Sequence, residues 1–212
     1  MSKYEQRGAY HYDEFAKDTP YRKHVLDVIE HARNALDPED TLLDVGAGEG
    51  LILEQFTKAG FYCLGCEIDQ HAVDIASRKG SPVIKGTITN FSAWPFDCVV
   101  AFDVLEHVGD PHDLAARMFD MARKVVMIAV PSKHDHHAVN GFHLDDLEVP
   151  EGWDLEHAED RHARDFRIYV WKGVVDVRTR QANEAIDAMS MSGEADTPSE
   201  ARAEADEEAG GF

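Results

Sequence analysis

Positive charge is scarce in this chain: 21 Lys and Arg stand against 41 Asp and Glu in 212 residues, a net of −20 at neutral pH. Such a surface repels a phosphate backbone, which disfavours nucleic acid as a partner. Cysteine is scarce too, and Cys63, Cys66 and Cys98 leave no paired framework for a disulfide-stapled secreted scaffold. No apolar run reaches the roughly 18 residues of a membrane span. The opening "MSKYEQRGAYHYDEF" lacks the apolar stretch of a signal peptide. These absences predict a cytoplasmic protein with no membrane partner. What remains, 43% hydrophobic residues, is enough for one good core.

The acid excess is spread over the body of the chain. Residues 193–212 hold seven acids and one arginine, a net of −6, leaving −14 on residues 1–192. This distribution resembles that of proteins from salt-loving organisms, where high ionic strength screens self-repulsion. The melting temperature is therefore expected to rise between dilute buffer and molar KCl. From Gly193 onward the sequence is Ala, Glu, Asp, Ser, Gly and Pro with almost nothing to bury, which predicts disorder. Truncation after Ser192 should leave the melting temperature nearly unchanged, and a large loss of stability would show instead that the tail docks.

Cys63 and Cys66 spell C-x-x-C, a spacing used in redox and zinc sites. They lie within "FYCLGCEID", which reads as a buried strand. Three residues apart on a strand they face opposite sides, about 10 Å apart and beyond disulfide reach. They read as small buried apolar residues.

Thr19-Pro20 supplies an N-cap and a proline at the first helical position. Tyr21, Val25, Val28, Ile29, Ala32 and Leu36 follow at helical spacing up to Asp37-Pro38. Strands are then expected at 41–46, 61–67, 82–85, 96–102 and 124–130, with helices at 49–59, 70–79 and 111–122. Continuous apolar strands such as "CVVAF" and "VVMIAV" suit a parallel sheet covered on both faces. The fold class is α/β, doubly wound. "WDLEHAE" and "FRIYVWK" have no helix between them and should pair antiparallel. The organisation predicted is an N-terminal segment over 1–18, one domain over 19–175, and an extension over 176–212.

"TLLDVGAGEGLILEQF" runs from a strand through glycines at 46, 48 and 50 into a helix. A dinucleotide turn needs G-x-G-x-x-G, and Leu51 follows where the spacing goes astray. Glu49 would face a pyrophosphate with a carboxylate, losing the advantage of the helix N-terminus. No Lys-Ser or Lys-Thr pair follows, which excludes a P-loop. A ligand carrying positive charge and no phosphate suits this turn better. Glu67 ends the second strand 21 residues after Gly46, where a carboxylate accepts hydrogen bonds from ribose hydroxyls.

"LLDVGAGEG", "LGCEID" and "FDCVVAFDVLEHVGDP" together resemble the successive motifs of class I S-adenosylmethionine-dependent methyltransferases. Within that family the likeness is to the small-molecule branch that includes quinone-biosynthesis enzymes, and it extends over roughly residues 20–172. The resemblance implies a mostly parallel seven-stranded sheet whose last two strands form the antiparallel hairpin. It places Asp44, Gly46, Gly48 and Gly50 around the methionine and ribose of S-adenosylmethionine, and Glu67 on the ribose hydroxyls. Ile68 would pack on the adenine. Relatives often hold the adenine amine with an acid where this chain has Thr87. There Thr87 can accept a hydrogen bond, or Ile88 can donate its backbone N–H. Phe102 and Asp103 would line the methyl-transfer site.

The resemblance implies a small-molecule methyl acceptor with an oxygen or nitrogen nucleophile. "FDVLEHV" replaces the Pro-Pro-aromatic motif of amine-of-DNA methylases, and the Pro-Cys pair of cytosine C5 chemistry is missing. Asp103, Glu106 and His107 fall at i, i+3 and i+4, so one helical turn would present them together as the catalytic set. In some relatives such a set joins a later histidine on a divalent cation, for which His134, His136, His137 and His143 are candidates. In metal-free relatives the Glu-His pair only pins the loop, and that reading is preferred. Tyr4, Tyr10, Tyr12, Phe15 and Tyr21 either lid the substrate pocket or pack the outer helices. Two other functions compete: a non-catalytic cofactor-binding partner subunit, and a nicotinamide oxidoreductase, which Leu51 disfavours.

Overall fold

The computed structural model describes residues 2–17, 19–91, 93–131, 145, 147–161 and 166–173. The chain divides into units 1–177 and 178–212, and all of these residues belong to the first. The histidines at 134, 136, 137 and 143 and the acidic tail lie outside the described residues.

Two short helices precede the domain proper, α1 (Lys3–Arg7) and α2 (Tyr10–Ala16). Helix α3 (Pro20–Ala35) starts as its sequence predicts, with Pro20 in the first turn and the Thr19 hydroxyl accepting from the Arg22 N–H. It buries Tyr21, His24, Val25, Val28, Ile29 and Ala32, one apolar stripe with a single histidine in it.

Strands β1 (Thr41–Val45), β2 (Tyr62–Glu67), β3 (Val83–Lys85) and β4 (Phe96–Phe102) are parallel, and β5 (Ala122–Pro131) joins them. Between them lie α4 (Leu51–Lys58), α5 (Gln70–Lys79) and α6 (Pro111–Met121). The hairpin β6 (Trp153–Arg161) and β7 (Phe166–Gly173) is antiparallel, with β7 inserted beside β5. The sheet order is β3-β2-β1-β4-β5-β7-β6. Strand β1 therefore sits where the winding reverses, and the crevice at the carboxyl ends of β1 and β4 is where such sheets place ligands.

Alternation along the central strands builds a core on each face. Leu43, Val99, Ala101, Val126 and Ile128 pack with Met118 and Phe119 of α6 on one side. Leu42, Cys98, Val100, Val125 and Met127 pack with Val28, Leu53 and Phe56 of α3 and α4 on the other. All seven residues of β4 are buried, the signature of a strand covered on both faces. Each such Val, Leu or Ile contributes about 1.5–3 kcal/mol on burial. Cys66 belongs to the first core and Cys63 packs against the second, so the two thiols point apart and are free. Burial pushes both thiols up to about 12, which leaves neither reactive.

Candidate active site

The turn after β1 is tied to the end of β2. The N–H groups of Gly46 and Ala47 both donate to the Cys66 carbonyl, at 2.9 and 3.0 Å. The Gly48 N–H donates to Glu67 Oε2 at 2.9 Å, and the Asp69 N–H to Glu67 Oε1 at 2.8 Å. Glu67 is buried, with its carboxylate lying across the loop. Each oxygen has further lone-pair capacity, so these bonds leave it able to accept from ligand hydroxyls. Gly48 has φ +56°, and a Cβ there would stand 2.5 Å from the Tyr4 hydroxyl oxygen. A side chain is thus refused by both backbone conformation and space.

A cavity of about 870 Å³ opens above this turn. Its wall includes Gly46, Gly48, Glu67, Ile68, Thr87, Ile88, Phe102, Asp103, Glu106 and His107, ten of the residues singled out in the sequence. Asp44 and Gly50 are not in that wall. Gly50 faces the α5 side, where a Cβ would meet Ser81 and Ala76 at 2.6 and 3.2 Å; its work is close packing of α4. Asp44 lies behind the turn, 2% exposed, with Oδ2 lacking a hydrogen-bond partner among the described residues. Burial, with the Glu67 charge adding to it, raises its carboxyl from 3.8 to about 8.

The far end of the cavity is shaped differently from the sequence expectation. Asp103 is not in a helix with its neighbours. It has φ +57°, the only non-glycine with positive φ among the described residues, and its N–H donates to the Ala129 carbonyl at 3.0 Å. Aspartate tolerates this left-handed conformation better than most residues. A 3₁₀ turn, Leu105–His107, follows it. Two devices, rather than one helical turn, bring Asp103, Glu106 and His107 to the same wall. The Glu106 side chain is buried, with Oε1 3.8 Å from His107 Nε2.

Thr87 is committed locally. Its N–H donates to Asn90 Oδ1 at 2.8 Å, and its hydroxyl is 2.7 Å from that of Thr89. Ile68 is 72% exposed at the rim, an apolar surface open to a planar group. Among the described residues no three His, Cys, Asp or Glu side chains gather as metal ligands.

The N-terminal aromatics divide between the cavity and the outer helices. Tyr4, Tyr10 and Tyr21 line the cavity, joined by His11, which the sequence reading passed over. The His11 ring lies 3.9 Å from Tyr10 and 5.4 Å from Tyr21, centroid to centroid. Tyr12 and Phe15 instead pack against Tyr21, Val25 and Leu51. Burial pushes the Tyr10 phenol up to about 12, so it stays a neutral donor at the cavity wall.

The sheet order, the glycine turn and the acid ending β2 define the S-adenosylmethionine-dependent methyltransferase class. Comparison with known proteins agrees: the methyltransferase-domain family matches residues 14–169, and the chain belongs to that family. An uncharacterised methyltransferase of Mycolicibacterium gilvum is 36% identical over 89 residues, 39% of this chain and 35% of its own length. The ubiquinone biosynthesis O-methyltransferase of Caulobacter vibrioides is 30% identical over 80 residues, 34% of this chain and 32% of its own length. Each match thus spans about a third of the relative. Magnesium protoporphyrin IX methyltransferase from Synechocystis, solved with bound S-adenosylhomocysteine, shares the fold at TM-score 0.62 and 13% identity, covering 80% of this chain and 96% of that one. A TehB-like S-adenosylmethionine-dependent methyltransferase from Corynebacterium glutamicum does so at 0.52 and 20%, covering 72% and 99%. No helix among the described residues is long and apolar enough to cross a membrane.

Proposed function

We propose that this chain transfers a methyl group from S-adenosylmethionine to a small-molecule acceptor through an oxygen or nitrogen nucleophile. The observation that carries the reading is one cavity joining the glycine turn and Glu67 to Asp103, Glu106 and His107. Its residues fit the cofactor. Glu67, buried in the wall, keeps lone pairs for ribose hydroxyls, and the exposed Ile68 next to it in the chain offers an apolar face to the adenine.

When bound, S-adenosylmethionine supplies a methyl carbon on a sulfonium leaving group. Gly46 and Gly48 would cradle it, Glu67 would accept from its ribose hydroxyls, and Ile68, Thr87 and Ile88 would flank its adenine. Phe102 and Asp103 would line the transfer end. The protein's remaining work is to align the nucleophile, exclude water and take its proton. Asp103, Glu106 and His107 supply the ionisable groups for that. A volume of 870 Å³ falls within the range of small-molecule pockets.

Helix α1 supports an anionic group on the acceptor. Lys3 and Arg7, one turn apart, line the cavity, while Glu5 turns toward His71, 3.9 Å away. The Arg7 guanidinium lies 4.3 Å from the centre of the Tyr10 ring.

A screen of methyl acceptors with labelled S-adenosylmethionine tests the function, and acids are expected to outperform their amides. With an acceptor in hand, His107→Ala should lower turnover by 10²–10⁴-fold, the usual worth of a general base. Wild-type turnover should be unaffected by EDTA. Abolition of turnover by EDTA, with Glu106→Gln and His107→Ala behaving alike, would replace the base with a divalent cation. A folded His107→Ala protein with wild-type turnover would leave alignment as the source of rate.

A further inference from the structure

Glu49 sits inside the glycine turn, where a ligand contact is the expected use. Its carboxylate is 1% exposed and turns toward the N-terminal segment instead. Glu49 Oε1 accepts from the His11 N–H at 2.5 Å and the Tyr12 N–H at 3.2 Å, and lies 3.2 Å from His11 Nδ1. These contacts join residues 37 and 38 positions apart. They reach from the turn to α2, a helix whose own N-cap residue, Ala9, offers no side-chain acceptor. On the segment held this way, Tyr4, Tyr10 and His11 line the cavity, and the Tyr4 hydroxyl overhangs Gly48.

We infer that Glu49 is a positioning residue, a latch that holds the N-terminal helices over the cavity so that cofactor exchange requires its release. The proposal rests on reading the cavity as the S-adenosylmethionine site. Its logic is geometric: the acid belongs to the turn beneath the cofactor, and its partners belong to the segment above it. A charge-assisted hydrogen bond buried from water is among the stronger contacts available to a protein. Breaking three contacts to one oxygen would free the segment without touching the ribose acid Glu67.

The test uses the full chain and two readouts. Hydrogen exchange on ligand-free protein reports the latch directly: the amides of His11 and Tyr12 should exchange at least ten-fold faster in Glu49→Ala than in wild type. Glu49→Gln, which keeps a carbonyl oxygen in place, should restore most of the protection. Release of labelled S-adenosylhomocysteine into unlabelled excess reports the function, and should accelerate about ten- to a hundred-fold in Glu49→Ala. His11→Ala should accelerate it less, and the double variant should release more slowly than the product of the single effects predicts.

Unchanged amide exchange in a folded Glu49→Ala protein would overturn the latch. Faster exchange with unchanged release would overturn its role in cofactor exchange. Failure of the wild-type chain to bind S-adenosylhomocysteine would overturn the cofactor reading itself, while the exchange arm still reports on the contact.

Discussion

Glu67→Ala is expected to weaken S-adenosylhomocysteine binding by roughly ten- to a hundred-fold, the equivalent of losing about 1.5–3 kcal/mol of hydrogen bonding to a charged group. The carboxylate is placed for this at the end of β2, in the cavity wall and beneath the exposed Ile68. The substitution also orphans the Gly48 and Asp69 N–H groups, which loosens the turn. Glu67→Gln separates the two effects, since its carbonyl oxygen can still accept from one of those amides. It should recover stability more fully than affinity. Isothermal titration calorimetry checks the affinities and thermal melting the stabilities. Unchanged affinity in Glu67→Ala would remove Glu67 from the ribose.

Asp44 predicts a second large effect, on stability and with a definite pH dependence. Its carboxyl rises from 3.8 to about 8 in the folded protein, first because it is fully desolvated and then because Glu67 is nearby. Between those values the folded state keeps a proton that the unfolded chain has released. Stability contributed by this group is therefore complete below about pH 4 and drains away as pH climbs through 8. The full range corresponds to several kcal/mol, on the order of 5. Asp44→Asn, a neutral amide of the same shape, should remove that dependence. Relative to wild type, its melting temperature should climb by about 10 °C or more between pH 4 and pH 8.5. Comparing the two proteins at each pH cancels the titration of groups distant from Asp44. A difference that stays constant with pH would show that Asp44 is ionised in the fold at low pH.

Both predictions concern the same loop and differ in what they read. Glu67 lines the cavity, so its substitution is read through ligand binding; Asp44 is buried outside that wall, so its substitution is read through stability. The Glu67 charge also adds to the cost of ionising Asp44. A cofactor with positive charge would relieve part of that cost.

Much of this was already written locally in the chain. The Thr19-Pro20 helix start, the apolar runs of β4 and β5, and the glycine turn each depend on residues within a few positions of one another. Periodicity and turn chemistry operate at that range, so the α/β alternation and the antiparallel ending were legible. Boundaries moved by a residue or two, as at α4, which begins at Leu51 once Gly48 and Gly50 have spent the turn. Glu67 was legible because the strand before it sets its distance from Gly46.

What tertiary structure alone decided are the contacts between distant segments. Nothing near Glu49 in sequence announces that its carboxylate will seek the amides of His11 and Tyr12, and the choice is made by where α2 packs. The same packing divides the N-terminal aromatics, sending Tyr4 and Tyr10 to the cavity and Tyr12 and Phe15 to α3. Asp103 looked helical by spacing, yet its bond to Ala129 across β5 holds it in a left-handed conformation that no local pattern foretells. Asp44 and Glu67 look alike as strand-end acids. Only the twist of the sheet and the path of the turn put one behind the cavity and the other in its wall, because burial and direction are properties of the assembled neighbours and not of the residue.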